Sequence, residues 1–318
     1  MNYKRIWCFI APVCIIVLMI FVAEVTGEKE IIFPEIAAIA VGMFMAPKRS
    51  WQTSKVRVLI LIIISAVLGL GISILLPFPL WIKMALGFFI CQFILAYSGT
   101  GFAPLISATV LPVLLGTRSM VYLMAAIVLT SLIILVRVLF EKLGLKEYEQ
   151  FQTVDYPDIK DYKNITAKIV IGTLCIYTAL KFNFRFMVAP PMLVAFTEFM
   201  NRDNKTRRTP VKAVILVTLC ALCGTASRYV ICSKLGLGLT IAAFAAIVLI
   251  AVILERFKLY MPPAAALGIL AMLIPESMII IYPIQIFAGM ILLMGIAILY
   301  NDVDIRNLIE GSRKHSFE

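Results

Sequence analysis

Long apolar runs separated by short polar turns follow one another along the whole chain. Uninterrupted stretches such as 58–76, 239–254 and 279–300 approach or reach the roughly 20 residues that span about 30 Å of hydrocarbon. They lack the polar face that a helix on the surface of a soluble domain keeps. The pattern therefore predicts an all-α, polytopic transmembrane helical bundle.

The apolar segments form two sets of six, one on each side of a polar stretch at 141–164. Two segments in each set are short and open with proline, which suits the first turn of a helix because its missing N–H is not needed there. We expect about 10–12 membrane segments in all, with the short Pro-led helices broken or inset in the bilayer. The predicted segments are 6–24, 32–46, 57–77, 80–97, 102–116 and 120–140, then 165–182, 188–200, 211–230, 236–255, 261–275 and 279–300.

The two sets resemble each other in sequence. The stretch at 33–58, FPEIAAIAVGMFMAPKRSWQTSKVRV, is matched at 189–212 by APPMLVAFTEFMNRDNKTRRTPVK. FAPLISATVLPVLLGTRSMVY at 102–122 is matched at 261–282 by MPPAAALGILAMLIPESMIIIY. An internal duplication in an apolar chain is typical of transporters built from two related halves. The expected units are a first repeat at 1–140, a cytoplasmic linker at 141–164, a second repeat at 165–302 and a cytoplasmic tail at 303–318.

Composition supports the membrane interpretation. Apolar residues make up 62% of the chain and charged residues 15%, whereas soluble domains are about half apolar and a quarter charged. The net charge is +11, but the basic residues lie in short loops, which indicates the positive-inside bias rather than nucleic-acid binding. The seven cysteines lie in or beside apolar segments, and their odd number argues against a disulfide framework.

Basic loops predict the orientation. The loop after the second segment holds Lys48, Arg49, Lys55 and Arg57, and its counterpart in the second set is also basic, so both are expected on the cytoplasmic side. Six segments lie between these loops, and an even number of crossings returns the chain to the same side. We therefore expect tandem, parallel, pseudo-symmetric repeats in a bacterial cytoplasmic membrane, with both termini inside. Four cations oppose this orientation, namely Lys181, Arg185, Arg228 and Lys234.

At its Pro-led segments the chain resembles the HPP family of integral membrane proteins. The signature of that family is His-Pro-Pro followed by small residues at the head of an apolar helix. The equivalents here are Phe102-Ala103-Pro104 and Met261-Pro262-Pro263, and the histidine is absent from both. The resemblance covers about 30–140 and 185–302. It implies a transporter and, because some plant plastid members are linked to nitrite transport, a small anion such as nitrite as the substrate.

The expected substrate site lies near the midplane, between the short helices. The turn at 98–101 feeds a helix start, where free N–H groups and the positive end of the helix dipole suit an anion. The hydroxyls of Ser107 and Thr109 follow on that helix, and the alternative is a tight turn with small-residue packing. The full candidate set is Ser98, Gly99, Thr100, Gly101, Pro104, Ser107, Thr109, Pro190, Pro191, Glu198, Pro262 and Pro263.

Ionisable residues in apolar segments are the candidates for coupling or gating. Glu198 lies inside its segment and is the stronger candidate for a proton relay. Glu35 stands at a helix start, where it either serves transport or caps the helix at the outer interface. Arg118, expected outside, either recruits an anion or is a surface residue. Gln92 and Gln285 lie in mid-segment and could bond a solute or a neighbouring helix.

Motifs for catalysis are missing from the sequence, which shows no His-rich metal constellation, G-x-S-x-G elbow or paired acids. We therefore predict no enzyme activity, no cofactor and no metal. The expected partners are membrane lipids and a small-molecule or anion substrate, without nucleic acid, and a homo-oligomer is compatible with the sequence. The alternative to a permease is a non-transporting assembly, sensor or scaffold protein, which the scarcity of polar residues in the spans favours.

Overall fold

The computed structural model describes residues 3–201 and 204–315, so the extreme ends of the expected first repeat and of the tail lie outside the described residues. Within these ranges the chain forms twelve α-helices and no strand, which confirms the all-α prediction. Eight helices are long: α1 Tyr3–Thr26, α3 Lys55–Leu75, α4 Leu80–Tyr97, α6 Val121–Lys142, α7 Ile159–Lys181, α9 Pro210–Arg228, α10 Leu239–Phe257 and α12 Tyr282–His315. Four are short: α2 Glu35–Ala40, α5 Pro104–Leu115, α8 Pro190–Phe199 and α11 Pro262–Leu270.

Seven of the described helices are long and apolar enough to cross a membrane, namely α1, α3, α4, α6, α9 with its extension to Lys234, α10 and the first part of α12. Large apolar side chains such as Phe21, Ile64 and Leu135 point away from the bundle and are exposed. A surface of this kind suits lipid rather than water. The bundle is therefore built to be embedded in a membrane.

The four short helices start where the sequence predicted. Pro104, Pro190 and Pro262 open α5, α8 and α11, and α2 starts directly after Pro34. A π-helical stretch at Val41–Met45 lengthens α2, yet at 1.5 Å per residue none of the four reaches the ~30 Å of a bilayer core. Each one covers only part of the depth of the bundle.

The short helices form the centre of the bundle. All their residues are buried except Leu115 and Glu198. Helix α2 packs on α11 and α5 packs on α8, while the long helices surround them. The seam between the short helices is therefore a filled core in this structure.

Two close helix crossings correspond to each other. At Gly69, where α3 meets α5, an added Cβ would lie 2.3 Å from the carbonyl oxygen of Thr109. At Gly224, where α9 meets α11, it would lie 2.0 Å from the carbonyl oxygen of Gly268. Only glycine allows the backbones to approach so closely, as in other membrane helix pairs.

Two buried tyrosines also occupy corresponding positions. Tyr122, at the start of α6, donates its hydroxyl to the carbonyl of Ala108 on α5 at 2.8 Å. Tyr282, at the start of α12, donates to the carbonyl of Leu267 on α11 at 2.7 Å. The Ala108 carbonyl needs this donor because Pro112, four residues on, has no N–H to close the helix bond.

Candidate functional site

Glu35 is the most deeply placed acid of the short helices. It is the first residue of α2, and 1% of its surface is exposed. Its Oε1 accepts a hydrogen bond from the Ser107 hydroxyl on α5. Its Oε2 is buried without a hydrogen-bond partner. A buried carboxyl with an unsatisfied oxygen is costly, and inside a membrane bundle such a residue suggests a functional site.

Neighbouring contacts show how deep this pair lies. Thr109, two residues after Ser107, donates its hydroxyl to the carbonyl of Ser65 at 3.1 Å. Ser65 is the eleventh of the 21 residues of α3. The pair formed by Glu35 and Ser107 therefore lies near the middle of a full-length helix, not at an interface. Although Glu35 starts a helix, it does so deep inside the bundle.

The surroundings of the pair are apolar. Helix α11, which packs on α2, carries only proline, alanine, leucine, glycine and isoleucine. The Tyr122 ring packs edge-on against Phe33, two residues before Glu35, with ring centres 5.4 Å apart, but its hydroxyl proton is already donated to Ala108. Pro262 and Pro263 are buried in the first turn of α11, as are Pro104 in α5 and Pro190 and Pro191 in α8.

Glu198 occupies a different environment. It is the next-to-last residue of α8, is only partly buried, and accepts a hydrogen bond from the Trp51 indole at 2.9 Å. The adjacent Thr197 accepts one from the Gln92 amide at 2.9 Å. Both bonds tie the end of α8 to the first half of the chain. Sequence reasoning had named Gln92 as a residue that bonds a neighbouring helix or a solute, but it missed Trp51 and Thr197.

Gln285 also bonds a neighbouring element. Its side-chain oxygen accepts from the backbone N–H of Phe186 at 3.0 Å. Arg118, in contrast, is exposed in the turn between α5 and α6. Of the ionisable candidates, the structure therefore places only Glu35 at the centre of the short-helix seam.

The Ser98–Gly101 turn lies beside the start of α3, where Arg57 donates to the carbonyls of Ser98 at 3.0 Å and Gly99 at 3.3 Å. The Gly101 N–H donates to the carbonyl of Gln52. The Thr100 N–H donates to the Ser98 hydroxyl, and the Phe102 N–H, directly after the turn, donates to the Thr100 hydroxyl. In this conformation these three donors are taken by protein groups and do not point at the Glu35 site.

We call the end of the bundle that carries this turn and the loop at 46–54 the basic end. The segment at 145–154, which we call the strap, crosses it. Lys146 donates to the carbonyls of Phe44 at 3.2 Å and Ala46 at 2.5 Å, at the end of α2. Val154 donates its N–H to the carbonyl of Gly99 at 3.0 Å. The linker expected between the halves is thus anchored to the first half.

Charged side chains hold the strap in place. Arg137 donates to the carbonyl of Glu147 at 3.0 Å, the carboxylate of Glu149 accepts from the backbone N–H of Arg49 at 3.3 Å, and Arg57 stacks 4.8 Å from the centre of the Phe151 ring. Burial lowers the pKa of Lys146, which lies outside the spanning helices, because it disfavours the ammonium form.

A small cavity of about 40 Å³ lies at the basic end, large enough for a few water molecules at most. Gly42, Trp51 and Lys55 line it together with Arg137 and Glu141. Arg137 pairs with Glu141 at 2.8 Å, and Lys55 bonds the same carboxylate. Arg137 and Lys55 therefore share the single carboxylate of Glu141, which balances only one of their two positive charges.

Comparisons with known proteins do not identify a function for this chain, so a functional hypothesis must be argued from its own residues. No family model, no curated protein and no solved structure matches the chain. Among the described residues, no group of three or more His, Cys, Asp or Glu side chains could hold a metal ion. The buried carboxyl of Glu35 and its hydroxyl partner are the chemistry that this bundle offers at its centre.

Proposed function

We propose that this chain is an integral membrane permease, a secondary transporter whose solute crosses at the seam of α2, α5, α8 and α11. One observation carries the proposal: Glu35 is held at mid-depth between two broken helices with one oxygen unpaired. Transport sites commonly lie where short helices from two related halves meet near the midplane. A purely structural protein would gain nothing from an unsatisfied acid there.

The matched crossings at Gly69 and Gly224, and the matched tyrosines, support an origin by tandem duplication. In our proposal the halves are parallel, and the basic end faces the cytoplasm of a bacterium. Arg5, at the start of α1, reaches the carbonyl of Met45 at 3.4 Å and so puts the start of the first helix at the basic end. An N-terminus on the inside is consistent with this contact.

The proposed substrate is a small anion such as nitrite. This choice rests on the resemblance of the Pro-led segments to the HPP family and on the start of α2, which lies inside the bundle. The filled seam then represents an occluded state, and movement of the short helices would open it to one side at a time. The strap at 145–154 covers the mouth that would face the cytoplasm.

Reconstitution tests the proposal directly. Purified protein in liposomes should take up nitrite, measured colorimetrically inside washed vesicles, faster than protein-free vesicles do. Glu35→Gln should abolish accumulation, whereas Glu28→Gln, the same change at an exposed position, should not. If folded protein moves neither nitrite nor nitrate nor formate in either direction, the permease proposal is wrong. That result would favour the alternative, a non-transporting assembly, sensor or scaffold protein.

A further inference from the structure

The protonation state of Glu35 follows from its contacts. We propose that Glu35 carries a proton in this occluded state and that a proton is the ion coupled to transport. The coupling half of this inference rests on the proposed permease function. The protonation half rests on the structure alone, because it concerns a carboxyl whose described polar contact is a single serine hydroxyl.

Among the described residues of the helices packed against α2, no cation faces the Glu35 carboxyl. Helices α5 and α11, which pack against α2, have no charged side chain. On α1, Arg5 lies at the far end beside Met45, and Glu24 caps α10. On α6, Arg137 bonds the carbonyl of Met43 at the other end of the α2 unit. The remaining titratable groups on α1 and α6 are Tyr3, Lys4, Cys8, Cys14, Tyr122, Glu141 and Lys142.

An ionised Glu35 would therefore be an unpaired buried charge, which proteins avoid by taking up a proton. A metal cation would need several oxygen ligands at once. Here Ser107 supplies one oxygen, and the neighbouring face of α11 supplies no polar side chain. A proton needs no such cage. The contacts therefore select the neutral acid over a carboxylate that binds sodium.

In this proposal the Ser107 hydroxyl donates to Oε1, which acts as the carbonyl oxygen of the acid, and the proton lies on Oε2, which has no other partner. When the seam opens to one side, water accepts this proton and leaves a carboxylate. When it opens to the other side, the carboxylate takes a proton back. One proton moving with one monovalent anion makes each cycle electrically neutral, and no bond in the solute changes.

Infrared spectroscopy of the purified protein at neutral pH tests the protonation without any solute. Glu35→Gln should remove a carboxylic-acid C=O band, and Glu28→Gln should leave it. Ser107→Ala should shift the same band to higher frequency, because the bond that weakens the C=O is lost. If Glu35→Gln removes only carboxylate absorption, or Ser107→Ala moves no acid band, the inference is wrong.

Flux measurements test the coupling. Liposomes that contain the pH dye pyranine should acidify as nitrite enters, and an alkaline interior should drive accumulation that a sodium gradient does not. Glu35→Gln should lose this accumulation. Uptake driven by sodium without acidification would refute proton coupling and leave the permease proposal standing. An absence of nitrite, nitrate and formate flux together with a Glu35 acid band would refute the permease and the coupling while confirming the protonation.

Discussion

Helices α5 and α11 hold corresponding places in the bundle and carry different side chains. Each crosses a long helix at a glycine and receives a tyrosine hydroxyl on one of its carbonyls. Only α5 carries hydroxyl side chains, at Ser107 and Thr109, whereas α11 is apolar throughout. The glycine crossings and the tyrosine hydrogen bonds occur in both halves, but hydroxyl side chains occur on only one of the two helices, α5. The packing and the proposed function therefore depend on different residues and can be perturbed separately.

The largest expected effect tests the shared packing. Gly224→Ala and Gly69→Ala each place a methyl group against a backbone carbonyl, so the helices must separate, at about 1–3 kcal/mol or more. Thermal unfolding in detergent should show a clear loss of stability for both variants. Gly71→Ala, on the same helix as Gly69 but with nothing within 4 Å of the new carbon, is the matched control. A loss at only one crossing would contradict the equivalence of the two halves.

The tyrosine pair should reveal an asymmetry. Tyr122→Phe leaves the Ala108 carbonyl without a donor, because Pro112 cannot supply one, and should cost about 1–3 kcal/mol. Tyr282→Phe should cost about 1 kcal/mol or less, since the N–H of Ala271, which contacts the Ile269 carbonyl in this structure, lies four residues after Leu267 and can shift to the freed carbonyl.

Adding Pro112→Ala to Tyr122→Phe tests the same cause, because the new N–H can bond the Ala108 carbonyl. The double variant should recover part of the lost stability in the same unfolding assay. Equal losses in the two tyrosine variants, or no recovery in the double variant, would show that the proline is not the reason.

The strap offers a pH test, because it covers the end of α2. The pKa of Lys146 is lowered when the strap is docked and returns to its ordinary value when the strap is released. Between the lowered pKa and the ordinary value of about 10.5 the released strap binds more protons than the docked strap, so docking strengthens as pH rises through that range. Cleavage within 145–154 by an added protease should fall over this range, measured against Lys146→Met, which should show no such trend. Cleavage that rises with pH in the wild type alone would contradict this account.

The smallest expected effect on stability concerns hydrogen bonds that join α1 in the first half to α10 in the second. The Glu24 carboxylate at the end of α1 accepts the N–H groups of Leu239 and Thr240, both at 2.8 Å, and so caps α10. Glu24→Gln should lower stability by about 1 kcal/mol or less. Glu28→Gln, which removes an exposed charge nearby, should have no effect. A larger loss from Glu28→Gln would show that overall charge, rather than capping, is the cause.

The sequence predicted the helices better than the contacts. Segment 80–97 coincides with α4, and the four Pro-led helices appear where hydrophobic runs begin with proline. These features are local, because helix length depends on the apolar run and proline marks the first turn. The helix ends differ from the predicted ends where polar residues extend a helix beyond its apolar run. At the start of α7, for example, Asp158 forms a capping box several residues before the predicted start at 165.

The site was harder to predict because it depends on contacts between distant segments. Ser107 and Glu35 were both candidates, but 72 residues separate them, and nothing local shows that they meet. The contacts that hold the strap, within the predicted linker at 141–164, were not predicted, because Lys146 bonds backbone carbonyls, which carry no sequence signal. The contact between Trp51 and Glu198 was missed because 147 residues separate the pair along the chain.

The accessibility of position 107 tests the central claim most directly. A Ser107→Cys variant in liposomes is treated with a membrane-impermeant thiol reagent, and labelling of the parent protein, whose Cys14 is exposed, is subtracted. We predict that position 107 is labelled while nitrite is being taken up and that saturating nitrite slows the labelling. If Ser107→Cys protein transports nitrite at the parental rate and position 107 is never labelled, the solute does not pass through this seam.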